Sequence, residues 1–299
     1  MSKRNALSLA PPYMVERSLI TLGANLRTAR LRRNLKVQDV AEKIGVGRHV
    51  VSDAEKGKAS TSIAVYAAML WVFGMADQLA QMADPAMLQL GRECGLLTAD
   101  SRITTVADRD VLLVKRFDRE KVQGGYHRAR MVSGLTLLRA DDSHRSSDLW
   151  SYILLAEELR RVCEAPQRQA HELFKRMSFN ALISNTDDHP RNHAAKARNK
   201  DWKLSPAYDL TPSTPISLEQ RDLAITCGDQ GRIARASNLL SQCHRFLLGR
   251  EEAIAIMKNM TNTVRDAWYH VARSAGVTEI DCNTIEGAFV YPGFGAEQI

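Results

Sequence analysis

Residues 171–194 read "HELFKRMSFNALISNTDDHPRNHA", and the two halves of this stretch obey different rules. In the first half Leu173, Phe174, Met177 and Ala181 recur at spacings of three and four, the pattern of a helix that buries one face. The second half, "NTDDHPRN" at 185–192, carries Pro190, which is excluded from a helix interior. Asp187, Asp188, His189 and Asn192 therefore sit on a loop leaving a rigid apolar helix, where binding and catalytic groups concentrate. Downstream, "ARNKDWKL" at 197–204 predicts a charged hairpin. "SPAYDLTPS" at 205–213 then holds Asp209 between Pro206 and Pro212, just past a short strand.

Asp187 and Asn192 form a D-x-x-x-x-N spacing, and Asp209 follows Asn192 by 17 residues. Phosphoryl transfer uses such parts: one aspartate to take the proton of the attacking hydroxyl, and an asparagine and a second aspartate to hold Mg²⁺. Oxygen ligands suit that hard cation. Other readings stand beside this one. Asp187, Asp188 and His189 could serve a hydrolytic metal. His189 and His193 lie four apart, but Pro190 spoils the helical pairing a zinc site would use. A serine–histidine–aspartate triad lacks a nucleophile elbow. A loop whose Asp and Asn side chains cap their own backbone is the plainest option, and spacing alone favours it.

Outward from this centre, residues 111–114 ("VLLV") predict a buried apolar strand ending in alternating charge, "KRFDR"; an edge strand with a solvated tip is the alternative. "VQGGYH" at 122–127 reads as a hairpin turn. From 238 to 290 amphipathic helices place Leu239, Leu240, Phe246, Ile254, Met257, Val264 and Trp268 in the core. The five cysteines are scattered and contain no C-x-x-C pair, so buried thiols in a reducing cytoplasm are expected. The longest apolar run, 63–75, is too short to span a bilayer, and no membrane association is expected.

Charge is unevenly divided. Residues 1–60 hold 12 Lys/Arg against 5 Asp/Glu, whereas residues 61–299 hold 29 of each. A basic N-terminal region points to an anionic partner such as nucleic acid, with a solubilising terminus as the alternative. The pattern at 26–73 favours the first. Leu22, Leu26 and Ala29 mark one helix, and Val37, Val40, Ala41 and Ile44 a second that stops at Gly45. Val50, Val51 and Ala54 mark a third ending at Gly57, and residues 62–73 an apolar fourth. Two short helices joined by a Gly turn make a helix-turn-helix, whose second helix enters the major groove of duplex DNA. That helix offers Arg48, His49, Ser52 and Lys56, and Gln38 in the preceding helix can reach a phosphate. Lys36, Lys43 and Lys58 add salt-dependent affinity.

"VQDVAEKIGV" (37–46) with "VVSDAEKG" (50–57) resembles the Cro/repressor-type (XRE) helix-turn-helix family over about residues 20–83. Gly47 departs from the Ser or Thr cap common there. The second resemblance covers about 111–289. "LLVKRFDR", the loop at 185–192, "LSPAYD" and "QGRIARASNLL" together look like the C-terminal kinase domain of HipA-type toxins, a bacterial serine/threonine kinase family. This likeness implies Asp187 as catalytic base and Asn192 and Asp209 as Mg²⁺ ligands. It also implies ATP contacts from Lys115, Phe117, Asp118 and His189. Lys115 stands where the family often has an acid. ATP and Mg²⁺ are the implied cofactors, operator DNA is an implied partner, and aminoacyl-tRNA synthetases are the implied class of protein substrate. A homodimer is expected, since DNA modules of this kind read paired half-sites.

The expected fold is mostly α, of the α+β class: a flexible basic arm at 1–19, a small helix-turn-helix domain at 20–83, a connector at 84–110, and at 111–299 a kinase C-lobe-like domain with a few short strands. A Gly-rich phosphate loop and a phosphate-holding strand lysine, both used by kinases, are not recognisable in the sequence. Three outcomes follow: a minimal kinase completed by a partner that supplies the missing lobe, an inactive kinase-like regulator, or an antitoxin-like protein that binds a full-length kinase.

Overall fold

The computed structural model describes residues 13–33, 35–72, 84–106, 109–141, 148–213 and 218–298. The chain divides into two compact units, Met1–Gln81 and Met82–Ile299. Residues 1–12 of the expected basic arm lie outside the described residues; its remainder does not form an arm, because helix α1 already begins at Tyr13.

In the first unit α1 (Tyr13–Arg32) is followed by α2 (Val37–Ile44), α3 (Arg48–Glu55) and α4 (Ile63–Val72). The Lys36 backbone N–H donates to the Asp39 carboxylate at 2.7 Å, which fixes the start of α2. Gly45, at φ +70°, ends α2, and the three-residue turn 45–47 leads into α3. Leu26, Val40, Ala41, Val51, Ala54, Tyr66 and Met69 build the core. Two glycines let α1 lie close to the end of α3. A Cβ on Gly23 would stand 2.4 Å from the Ala54 carbonyl oxygen, and one on Gly57 2.4 Å from the Ile20 Cα. Arg30 grips both carboxylate oxygens of Glu55, its Nη2 donating at 2.9 Å, with both side chains under a tenth exposed. The hydrogen bond to Glu55 raises the Arg30 pKa.

In the second unit α5 (Asp84–Glu93) precedes three antiparallel sheets among the described residues. Strands β1 (Ser101–Val106) and β2 (Arg109–Val114) form one hairpin, and β3 (Arg119–Val122) and β4 (Gly125–Arg128) a second, turning at 123–124 within the expected stretch. Strand β5 (Arg130–Ser133) runs into a one-turn helix, α6 (Gly134–Leu137). Helices α7 (Tyr152–Val162) and α8 (Pro166–Leu182) pack together, and β6 (Ala194–Arg198) and β7 (Asp201–Leu204) join β5 in the order β5-β6-β7. Helices α9 (Ala236–Ser241), α10 (Arg250–Ser274) and α11 (Glu279–Ile285) complete the unit, with α10 against α5 and α8. The architecture is mostly helical with a few short antiparallel strands, of the α+β class.

Two local expectations need correction. The 84–110 stretch is no simple connector: Ala86, Met87, Leu88 and Leu90 of α5 are fully buried in the second unit's core, because α10 and α8 leave an apolar face for them. Strand β2 is not buried. Val111, Leu113 and Val114 are each more than a third exposed, because β2 pairs only with β1 in a two-stranded sheet. The edge-strand alternative describes it better. All five cysteines are free and buried, and burial pushes the Cys163 thiol up to about 11 and Cys94 and Cys227 up to about 12.

Candidate active site

Helix α8 delivers the loop. Leu173, Phe174, Met177 and Ala181 are fully buried, as their spacing predicts. Arg176 is also buried, a residue that periodicity alone would turn to water. It donates to Glu172 at 3.0 Å and to the Ser205 carbonyl at 2.6 Å, tying α8 to the segment that leads to Asp209. The helix stops at Ser184, which has φ +54° and donates to the Ala288 carbonyl at 2.6 Å. Arg221 donates to the Ser184 hydroxyl and to the Gly287 carbonyl (2.8 Å) and lies over the Tyr291 ring at 4.2 Å. The C-terminal segment thus clamps the start of the loop.

Adjacent residues of the loop then part. Asp187 is exposed, and Asp188 is 1% exposed. The Asp188 carboxylate accepts from the Tyr152 hydroxyl and pairs with His193 Nε2 at 2.8 Å, while Asn180 Nδ2 donates to the Tyr152 oxygen at 3.1 Å. Burial alone would push the Asp188 carboxyl up; a charge on His193 and the hydrogen bonds from His193 and Tyr152 outweigh it and hold it below its ordinary value. Burial, and then the Asp188 charge, pushes Tyr152 well above its ordinary value. With Asp188 turned inward, the hydrolytic metal reading loses its basis. Among the described residues no three His, Cys, Asp or Glu side chains group closely enough to hold a metal ion.

The loop is stapled to the segment carrying Asp209. Asn185 Nδ2 donates to the Asp209 carbonyl at 3.3 Å and to Asn180 Oδ1 at 3.2 Å. The Ser213 N–H donates to the Ser184 carbonyl at 3.0 Å, and the Thr186 and Ser213 hydroxyls meet at 2.7 Å. The Tyr208 hydroxyl donates to the Arg191 carbonyl at 2.8 Å. Asp209 itself has φ +61°, in the left-handed region. Asn192 caps the arrangement: it lies in a short 3₁₀ turn, is 6% exposed, and its side-chain amide makes no hydrogen bond among the described residues. The amide atoms are not among the fully buried unpartnered polar atoms, so the small exposure of Asn192 lies at its polar end, where a ligand can reach it. His189 is half-buried with an unpartnered Nδ1, and burial, then Arg191, lowers its pKa, so the neutral ring is favoured.

Tyr208, which sequence reasoning missed, links the two sides of the site. Its ring stacks on Phe117, 5.5 Å between centroids and 30° between planes, and burial pushes its hydroxyl up to about 12. The signal available was an aromatic placed directly before Asp209. The Asp118 carboxylate is gripped by Arg116 at 2.7 and 2.6 Å, and that grip lowers its pKa. Lys115 does not join this group: its exposed ammonium stands 3.5 Å from Asp100. In the first unit Arg48, His49 and Lys56 are exposed and Ser52 half-buried on α3, while the Gln38 amide donates to Glu42 at 2.9 Å.

Residues 42–268 match the HipA-like C-terminal domain family, about three quarters of the chain. The chain belongs to this family. Among solved structures, it is similar to a chain of the Shewanella oneidensis MR-1 toxin–antitoxin complex of HipA, HipB and operator DNA, with 18% identity and a TM-score of 0.59. That match covers 74% of this chain and 55% of the other, so this HipA-family chain spans about half the length of that relative. It is also similar to the proinflammatory kinase CtkA of Helicobacter pylori, with 11% identity, a TM-score of 0.51, and coverage of 73% and 84%. Both likenesses concern the fold, which is kinase-like. No curated protein matches the chain in sequence.

Proposed function

We propose that the second unit transfers the γ-phosphoryl group of ATP to a serine or threonine hydroxyl of a protein, and that the first unit attaches it to operator DNA. The observation that carries the first half is Asn192, its side-chain amide open and without a hydrogen bond among the described residues, on a loop stapled to the segment that bears Asp209. These residues fit a divalent ion. Asn192 and Asp209 would hold Mg²⁺, which when bound neutralises the phosphate charge. Asp187, exposed at the loop's edge, takes the proton of the incoming hydroxyl as its oxygen bonds to phosphorus and the bond to the leaving ADP oxygen breaks. Phe117, braced by Tyr208, offers a flat apolar surface to the adenine, with Asp118 beside it. His189, favoured in its neutral form, can donate one N–H to a phosphate oxygen without carrying a charge. Lys115 retains at most a peripheral role. Aminoacyl-tRNA synthetases are the substrate class proposed from family likeness.

For DNA, α3 has Gly47 as its N-cap and no side-chain cap, which leaves the Arg48 and His49 N–H groups open to a phosphate, while the Val50 N–H donates to the Gly47 carbonyl at 2.9 Å. Arg48, His49, Ser52 and Lys56 then face base edges and backbone, Gln38 reaches a phosphate after leaving Glu42, and a homodimer spans paired half-sites.

Labelled ATP with Mg²⁺ tests the kinase reading. Label should transfer to protein, and Asp187→Ala and Asp209→Ala should each abolish transfer; transfer that survives both substitutions refutes the assignment. Arg48→Ala should weaken operator binding by about 1–3 kcal/mol and relax one base preference; unchanged binding refutes the recognition helix. A second reading is favoured by the bare β1–β2 hairpin, whose exposed Val111, Leu113 and Val114 are covered by nothing among the described residues. On that reading the unit is a kinase-like regulator, inactive alone or completed by a partner. Absence of both label transfer and an ATP-induced thermal shift selects it.

A further inference from the structure

Two clefts of the second unit meet on a pair of lysines. One, of about 850 Å³, runs between the β3–β4 hairpin and the β5-β6-β7 sheet; the other, of about 1140 Å³, lies along the first turns of α8. Lys196 and Lys203 line both, so the clefts adjoin. These lysines sit directly opposite each other on β6 and β7, an arrangement of like charges that destabilises a sheet. Lys203 has only Glu164, at 3.9 Å, and Lys196 has no carboxylate partner among the described residues. Burial, and then Lys203, lowers the Lys196 pKa, as expected of an ammonium that lacks an anion.

The surplus continues in both directions. Arg128 and Arg130 line the first cleft and Arg168 and Lys175 the second, all without a carboxylate partner among the described residues. Most acids lining the clefts are occupied, Asp118 by Arg116, Glu120 by Arg198 at 2.9 Å, Glu172 by Arg176 and Glu164 by Lys203; Asp201 has no cation partner among the described residues. Because residues 61–299 carry as many acids as bases, this is a local segregation of charge. Flat rings accompany it. The half-buried Phe117 ring lies 5.7 Å from Lys196 Nζ, and Tyr126, 63% exposed beside the hairpin turn, lies outside the cleft lining but next to His127 and Arg128, which both line the first cleft. The β3–β4 hairpin is exposed at nearly every position, although a two-stranded hairpin is marginal without a cover.

We propose that the adjoining clefts form a track for a single-stranded nucleic acid. Cations spaced along a groove follow a phosphate backbone, and exposed rings receive unstacked bases. The cations are more numerous than a single phosphate would need, and an acidic peptide would leave the rings unused. The clefts belong to the second unit; the first shares Phe117 and Asp118 with the proposed nucleotide site, whereas Asp187, Asn192 and Asp209 line neither cleft.

The full chain should bind labelled oligo(dT) or oligo(U), with affinity falling as salt rises. The double variant Arg128→Glu/Lys175→Glu should weaken binding at least about tenfold and flatten the salt dependence, with an unchanged melting temperature. Tyr126→Ala should weaken it several-fold with little change in salt dependence, and Arg48→Ala should leave it intact. Failure of both oligomers to bind, affinity unchanged in the double variant, or polyglutamate binding as tightly as the oligonucleotides would overturn the proposal.

Discussion

The loop at 184–193 and the β1–β2 hairpin belong to the same unit and are held in opposite ways. The loop is fastened from every side: by Arg221 and the C-terminal segment at its start, by Asn185 and Tyr208 to the Asp209 segment, and by Asp188 to Tyr152 and His193. The hairpin has its own ladder, and its base is joined to Ala207 through the Ala99 N–H at 2.8 Å, but four of its described apolar side chains, Ile103, Val111, Leu113 and Val114, face water. One side of the unit is therefore pre-organised without a ligand, whereas the other gains its full burial only against something further. Rigid placement of the acids matters because phosphoryl transfer depends on positioning and charge more than on covalent chemistry.

Asp188→Ala strikes the fastened side hardest. It leaves the Tyr152 hydroxyl and His193 without their buried partner, and stability should fall by about 3–5 kcal/mol, read by urea denaturation. A loss below about 1 kcal/mol would mean the network is decorative and the contrast with the hairpin is false. A smaller effect comes from His189. Its folded pKa is lowered, so the unfolded chain takes up a proton first. Its contribution to stability is then complete above about pH 6.5 and is lost as pH falls through the depressed folded value. His189→Gln should flatten that part of the stability profile; an unaltered slope would place the titration elsewhere. The smallest effect belongs to the hairpin. Leu113→Thr should change the stability of the isolated chain by no more than about 0.5 kcal/mol, and a larger loss would show that β2 is covered after all.

These differences also decide what could be read without coordinates. Helix α8, the hairpins at 122–127 and 197–204 and the buried cysteines follow from local spacing and turn chemistry, which a linear sequence displays. The pairings that fix the site join distant positions: Arg176 with Ser205, Arg221 with Ser184 and Gly287, Asp188 with Tyr152. A charged residue in a helix carries no local mark of whether a carbonyl awaits it in the core, so Arg176 reads as surface. Asp187 and Asp188 are chemically identical neighbours, and only the fold sends one outward and the other inward. Strand β2 misled for the converse reason: four apolar residues suggest burial, but burial needs a covering layer that sequence periodicity does not report.

Asp209 sets stability against chemistry at a single position. Its backbone is wound the way glycine prefers, and a substitution to glycine there would relieve a constraint of about 1 kcal/mol. A glycine at 209 would ease the turn and remove, in the same change, the carboxylate proposed to meet the metal.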